Sequence, residues 1–174
     1  MRVAALFAGL CLWTLNCFAQ IQVAFFEKFN EQGERVELED GGRFFHVAVK
    51  VGEFWLHTDS FYGVSLVETV PKSYGRPLLR LYSPDKRVVH FSDVERLLGV
   101  PYDRDYLWDN EKLYCSELVS KLLGLKPRPM SFNGNHWKDH DQSRLPNGEL
   151  GSSPDFIFQQ LLSLGWTTRC EDFY

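Results

Sequence analysis

Strand-type and helix-type patterns occupy different halves of this sequence. The first half contains short runs rich in β-branched and aromatic residues, bounded by polar or glycine-containing turns, and these predict strands. Apolar residues at helical spacing begin only after residue 90. Strands followed by helices, with no linker of low complexity between them, predict one α+β domain. The predicted strands are Val23–Phe26, Arg35–Glu39, Phe44–Val51, Glu53–Thr58 and Gly63–Val67.

Three segments of the second half predict helices. Each combines an apolar stripe with a start or stop signal, such as a capping box, a proline in the first turn or a terminal glycine. A polar, turn-rich stretch at 129–151 separates the last two, and its length indicates a loop that either binds a ligand or is loosely ordered. The helices begin at a Ser92–Glu95 capping box and stop at Gly99, run from near Tyr114 to Gly124, and run from the Ser153 cap to Gly165.

Residues 1–19 differ from the rest of the chain. Arg2 precedes an apolar run from Val3 to Leu15, and small residues follow at Cys17 and Ala19. This is the plan of a secretory signal that is cut before Gln20, and the run is shorter than the roughly 20 residues that span a bilayer. We therefore expect a signal peptide at 1–19 and a domain at 20–174, exported to the periplasm, with no transmembrane segment after cleavage. A lipid anchor on Cys17 is the alternative.

Net charge restricts the classes of partner, and cysteine content restricts the disulfides that can form. The formal net charge is −4, without clusters of Lys or Arg, which argues against nucleic acid as a partner. After removal of the leader two cysteines remain, Cys115 and Cys170, and in an oxidising compartment they can pair. Cys170 lies in a polar tail, whereas Cys115 lies in a distinctive motif. This difference favours a free Cys115.

Two histidines lie in neighbouring predicted strands. A two-residue turn at Val51-Gly52 places Lys50 opposite Glu53 and His46 opposite His57, with their Cβ atoms about 5 Å apart. The pair then shares one face of the hairpin. Both histidines are also compatible with ordinary half-exposed strand positions or with half of a metal site. No residue at ligand spacing completes such a site, so we predict no metal and no cofactor.

Cys115 is the clearest candidate for a catalytic residue. A thiol near a helix N-terminus has its pKa lowered by the helix dipole, and a neighbouring imidazole can generate the thiolate and later return the proton. The structural alternative is a small buried hydrophobic residue on the apolar stripe of the helix.

The order and spacing of these motifs resemble a known family. Gly99-x-x-Tyr102 followed by Tyr114-Cys115-Ser116-Glu117-Leu118-Val119 is similar to the nucleophile segment of NlpC-type papain-like cysteine hydrolases. His46 precedes the cysteine instead of following it, as in the circularly permuted, YiiX-like branch, a distant relative of lecithin retinol acyltransferase. The segment Gly151–Phe158 is similar to the Ser-Pro-x-x-Ile/Leu ending of that branch. The resemblance covers roughly Phe44 to Leu164.

The resemblance implies a permuted papain-like fold in which an antiparallel sheet packs against the helix that carries the nucleophile. It implies that Cys115 is the nucleophile, that His46 is the general base and later the acid, and that His57 orients His46. Many YiiX-like sequences have Glu where His57 stands, and the acyltransferase relatives have His. Tyr102 matches the family tyrosine near the thiol, where it can help to hold the oxyanion together with the Cys115 N–H.

These features lead to three functional expectations. The first is an exported hydrolase that cleaves an amide of a cell-envelope peptide through a thioester. The second keeps the Cys–His chemistry and acts on a lipid or ester acyl group. The third is an inert papain-like binding module.

A second pair of histidines, His136 and His140, is spaced for a metal site only if it lies on a helix. The turn residues around the pair favour a loop instead, and we expect this loop to face substrate.

Overall fold

The structure is a computed structural model that describes residues 20–85 and 89–169, and its centre is one five-stranded antiparallel sheet. The order across the sheet is β4-β3-β2-β1-β5, so that the strand beginning at His46 is central. The mixed α+β architecture that the sequence predicts is confirmed. The strands are β1 (Gln22–Glu27), β2 (His46–Val51), β3 (Phe54–Asp59), β4 (Gly63–Val67) and β5 (Arg76–Tyr82).

One predicted strand is absent from the structure, and one observed strand was not predicted. Residues 35–39 form no strand and instead run beside the later loop, where the Asn135 Oδ1 atom accepts a hydrogen bond from the Glu37 N–H at 2.8 Å. The edge strand β5 was missed because Pro77 and two arginines interrupt its apolar alternation. A proline is tolerated there because an edge strand leaves one side of its backbone unpaired.

The β2–β3 hairpin turns one residue later than predicted. Val51 pairs with Phe54 and Val49 with Leu56, so the turn is Gly52-Glu53. Gly52 has φ +58°, and a glycine with positive φ at the first central position is what a type II′ hairpin turn needs. The resulting offset of two residues keeps every side chain on its predicted face, although His46 and His57 are no longer directly opposite each other.

The helices are short and pack on one face of the sheet. They are α1 (Phe91–Glu95), α2 (Cys115–Leu123) and α3 (Pro154–Ser163). α2 ends at Gly124 in the left-handed conformation, and Ser153 caps α3 by accepting a hydrogen bond from the Phe156 N–H at 3.2 Å, both as predicted. The predicted Ser92 cap is wrong, because α1 begins at Phe91 with His90 in the cap position.

Residues 130–149 form an ordered loop instead of a loosely packed one. A two-stranded ladder of β6 (Arg128–Pro129) and β7 (Leu150–Gly151) closes its base. The Trp137 side chain is buried and its Nε1–H donates to the Leu38 carbonyl at 2.7 Å. Across residues 20–85 and 89–169, no helix is both long and apolar enough to cross a bilayer. The predicted leader and Cys170 lie outside the described residues.

Candidate active site

Cys115 is the first residue of α2 and is a free, buried thiol. It belongs to the apolar cluster between sheet and helix, with Val47 of β2 and Val119 one turn further along α2. The next residue fixes the helix start, because Ser116 Oγ donates to the Ser152 carbonyl at 2.8 Å. The helix N-terminus is therefore tied to the segment that leads into α3.

The pKa of the Cys115 thiol is raised, not lowered, so the prediction from the helix dipole is wrong. Burial raises this pKa to about 11, whereas the backbone N–H groups of Val47 and Ser116 lower it by less. Removing a thiolate from water in an apolar cluster outweighs the favourable field of the helix terminus. The thiol is consequently protonated at neutral pH in the resting structure.

The two predicted histidines meet in the buried interior. His57 Nδ1 lies 3.3 Å from His46 Nε2, and the rings are nearly perpendicular with centroids 5.4 Å apart. Burial lowers the pKa of both imidazoles, and the charge of His57 adds to the effect on His46. At neutral pH His46 is therefore an uncharged imidazole that is able to accept a proton.

His46 and α2 belong to opposite faces of the sheet at the point where β2 begins. Val47 and Val49 face α2 in the same apolar cluster as Cys115, so alternation directs the His46 ring to the other face. Within the described part of the chain no hydrogen bond joins the His46 ring to the Cys115 sulfur. Both residues nevertheless line one cavity of about 780 Å³ at this end of the sheet.

Tyr74 and Asp59 complete the surroundings of the histidines, and sequence reasoning missed both. The Tyr74 ring lies against His46 with centroids 4.5 Å apart and a tilt of 33°. Its hydroxyl donates to Asp59 Oδ2 at 3.0 Å and accepts from the Ser60 N–H at 2.9 Å. The Asp59 carboxylate raises the pKa of His57, against the larger effect of burial. The only signal in the sequence was the position of Asp59 two residues after His57.

Tyr102 lies near the thiol because its strand-like segment pairs with the residues just before α2. Leu113 N–H donates to the Pro101 carbonyl at 3.0 Å, and Asp103 N–H donates to the Leu113 carbonyl at 3.2 Å. The buried Asp103 carboxylate then organises the following loop by accepting from the Leu107 N–H at 2.7 Å. Tyr102 and Cys115 line the same cavity.

The far wall of the cavity is aromatic. Tyr106, which has the positive φ of +55°, contacts the Tyr114, Phe132 and Trp137 rings at centroid distances of 5.3–5.6 Å. A tyrosine in this backbone region is strained unless its surroundings hold it there. The His136 and His140 rings, 5.2 Å apart, also line the cavity. The predicted loop at 129–151 thus borders the candidate site.

Residues 20–85 and 89–169 contain no group of three or more His, Cys, Asp or Glu side chains placed to hold a metal ion. The oxygens of Asp59, the carboxylate nearest the histidine pair, already accept from the Phe61 N–H at 2.7 Å and from the Tyr74 hydroxyl. His136 lies in a short 3-10 turn, Asn135–Trp137, and not on the helix that a metal site with His140 would need.

The sheet, the helix beginning at Cys115 and the central histidine strand define a YiiX-like α+β fold. The chain is similar to the crystal structure of metalloprotein YiiX from Escherichia coli O157:H7, DUF1105, with a TM-score of 0.59 and 16% identity over 89% of this chain and 98% of that one. At this identity the similarity shows the fold alone. No protein-family model and no curated protein matches the sequence.

Proposed function

We propose that the protein is a thiol hydrolase in which Cys115 attacks an acyl carbonyl and His46 acts as general base and then acid. The observation that supports this most is that Cys115, at a helix N-terminus, and His46, bonded to His57, line one cavity. A nucleophile, a base and a group that orients the base are the minimum set for acyl transfer through a covalent intermediate.

The reaction starts from uncharged groups. His46 Nδ1 takes the thiol proton while the sulfur bonds to the carbonyl carbon, and the Cys115 N–H and the Tyr102 hydroxyl donate to the developing oxyanion. Collapse breaks the C–N bond, and His46 returns the proton to the leaving amine. Water then attacks the thioester with His46 as base, the C–S bond breaks, the acid leaves and the thiol regains its proton.

The base role fixes the tautomers of the two histidines. His46 Nδ1 must be unprotonated, so His46 Nε2–H donates to His57 Nδ1 and the second proton of the pair lies on His57 Nε2. That nitrogen is buried and has no partner among the described residues. The sulfur must also turn from the apolar cluster toward the cavity, since catalytic contacts often tighten only when substrate binds.

We infer an exported enzyme that acts on an amide of a cell-envelope peptide. The export part of the proposal depends on the predicted signal peptide at 1–19, and the substrate depends on the resemblance to NlpC-type hydrolases. An ester or lipid acyl substrate is the second candidate. The aromatic wall of the cavity and the histidine at position 57 favour it.

An inert binding module is the third candidate, and the buried thiol with its raised pKa favours it.

YiiX is described as a metalloprotein. Among residues 20–85 and 89–169 the donor set at the histidine pair does not fit a resident metal, because two histidines that bond to each other and an already occupied Asp59 leave no third ligand. No step of the proposed reaction passes through a metal.

The test is product release from purified peptidoglycan sacculi, and in parallel from a phospholipid vesicle, followed by mass spectrometry. Cys115→Ser should abolish release, and Cys170→Ser, the matched substitution at the other cysteine outside the leader, should leave it unchanged. Intact-mass spectra of the wild type should show an acyl adduct that maps to Cys115. New carboxyl ends from sacculi support the amidase, and release from vesicles alone supports the acyl hydrolase. Turnover by Cys115→Ser, or none by the wild type on either substrate, contradicts the proposal.

A further inference from the structure

The carboxylates that line the cavity already have partners inside the protein. Glu39 Oε2 lies 2.8 Å from Arg128 Nη2, and Asp105 Oδ2 lies 3.1 Å from Lys112 Nζ. The Asp59 carboxylate accepts two backbone N–H groups and the Tyr74 hydroxyl. Asp141 Oδ1 accepts the Ser143 hydroxyl at 2.7 Å. Glu39 and Asp105 are therefore neutralised by ion pairs, whereas Asp59 and Asp141 keep their charge and accept hydrogen bonds from neutral groups.

Three cations at the same cavity lack such pairing. Lys28 follows β1, Arg104 follows the Tyr102 segment, and Arg144 belongs to the 3-10 turn Gln142–Arg144. None of them takes part in an ion pair within the described residues. Arg104 Nη2 donates to the Ser60 carbonyl at 3.1 Å, which leaves most of its five N–H donors available. Hydrogen bonds from Ser143 lower the pKa of the exposed Asp141, and the charge of the neighbouring Arg144 lowers it further by a smaller amount.

Aromatic rings line the cavity together with these cations. Lys28 Nζ lies 4.5 Å from the centre of the Phe45 ring, whose centroid is 5.4 Å from that of His136. At the rim, Phe61 is 86% exposed. Its backbone N–H donates to Asp59 Oδ1 at 2.7 Å, which fixes the backbone of this turn. A ligand that covers the ring gains apolar contact without ordering the backbone of the turn.

We propose that the cavity selects an acyl substrate that carries a carboxylate beside an apolar or aromatic portion, and that Lys28, Arg104 and Arg144 recognise the carboxylate. The inference depends on the proposed function, because it concerns the same cavity. The three cations outnumber Asp59 and Asp141, the two lining carboxylates without an ion pair, by one, and on a chain with a net charge of −4 this leaves a small local positive excess that attracts anions. Arginine suits this role because its planar fork binds a carboxylate through two hydrogen bonds.

The test is binding to the Cys115→Ser protein, measured by fluorescence anisotropy. The probes are dansyl-alanyl-glutamate, which has two carboxylates, and the neutral dansyl-alanyl-glutaminamide. The dicarboxylate probe should bind about tenfold more tightly at low salt, and the preference should fall as salt rises. Arg104→Gln/Arg144→Gln should lose most of that preference. The matched control Arg96→Gln/Lys126→Gln removes the same charge from residues that do not line the cavity, and it should retain the preference.

Equal affinity for both probes, no binding of either, or equal loss of preference in the control overturns the inference. The proposed hydrolase is judged separately, because binding is measured without the nucleophile. A protein that prefers the dicarboxylate probe but releases no product supports the inference and contradicts the hydrolase. A protein that hydrolyses substrate without any charge preference supports the hydrolase and contradicts the inference.

Discussion

His57 Nδ1 lies 3.3 Å from His46 Nε2, and the two imidazoles are buried together between Tyr74 and the sheet. In this position His57 can accept the Nε2 proton of His46 and so leave His46 Nδ1 free as a base. A neutral imidazole orients its partner but stabilises an imidazolium less than a carboxylate does. The relationship therefore supports a base that works without a preformed ion pair.

Removing the acceptor at position 57 should impair catalysis more than folding. His57→Leu leaves His46 Nε2 without a partner, and we expect kcat to fall by about 100-fold, the lower range for loss of general base function. His57→Gln keeps an acceptor oxygen and should lose less. The measurement is kcat for both variants with thermal unfolding alongside. Equal kcat in the two variants would mean that His57 does not act through a hydrogen bond.

Tyr74 should act as a positioning residue for His46. Tyr74→Phe keeps the ring against His46 and removes the hydroxyl bond to Asp59, at a cost of about 1 kcal/mol of stability. Tyr74→Leu also removes the ring contact and should lower kcat further and shift its pH profile. A purely structural tyrosine would change the unfolding free energy of both variants and leave the pH profile of the remaining activity unmoved.

The contribution of His46 to the stability of the fold should decrease as pH falls below about 6.5. The folded pKa of His46 is well below its ordinary value of 6.5, so the unfolded chain binds more protons between these two values. Stability from this group is complete above 6.5 and is lost at up to about 1.4 kcal/mol per pH unit as pH falls. Urea unfolding across this range measures the slope. His46→Gln should reduce it, and an unchanged slope would contradict the buried neutral state.

Glu117 should give the opposite dependence. Its carboxyl is fully buried with Lys121 Nζ at 2.8 Å, and burial raises its pKa to about 7 from 4.5. The folded state therefore binds the extra proton, and stability is lost as pH rises from 4.5 through 7. Glu117→Gln should be more stable than the wild type at pH above 7 and change little near pH 5. Destabilisation at both pH values would show that the ion pair outweighs the desolvation of the carboxylate.

The sequence predicted the helices and strands around the candidate site better than it predicted pKa values and side-chain contacts there. Helical spacing after Cys115 and the Gly124 stop located α2, because both signals are local. The hairpin register was wrong by two residues because Gly52 prefers the first position of the turn. The thiol pKa and the contacts of Tyr74 arise from burial by distant segments, which no local pattern records. β5 was not predicted because Pro77 interrupts the pattern of residues that is typical of a strand.

The central claim is that the Cys115 sulfur and the His46 ring act together, and a crystal structure of the protein alkylated at Cys115 by a chloromethyl ketone tests it most directly. We predict that the sulfur, turned into the cavity by the adduct, lies within hydrogen-bond reach of His46 Nδ1 while His46 Nε2 stays bonded to His57. A sulfur that remains in the apolar cluster beside Val47, with the sheet between it and both imidazoles, would contradict the account.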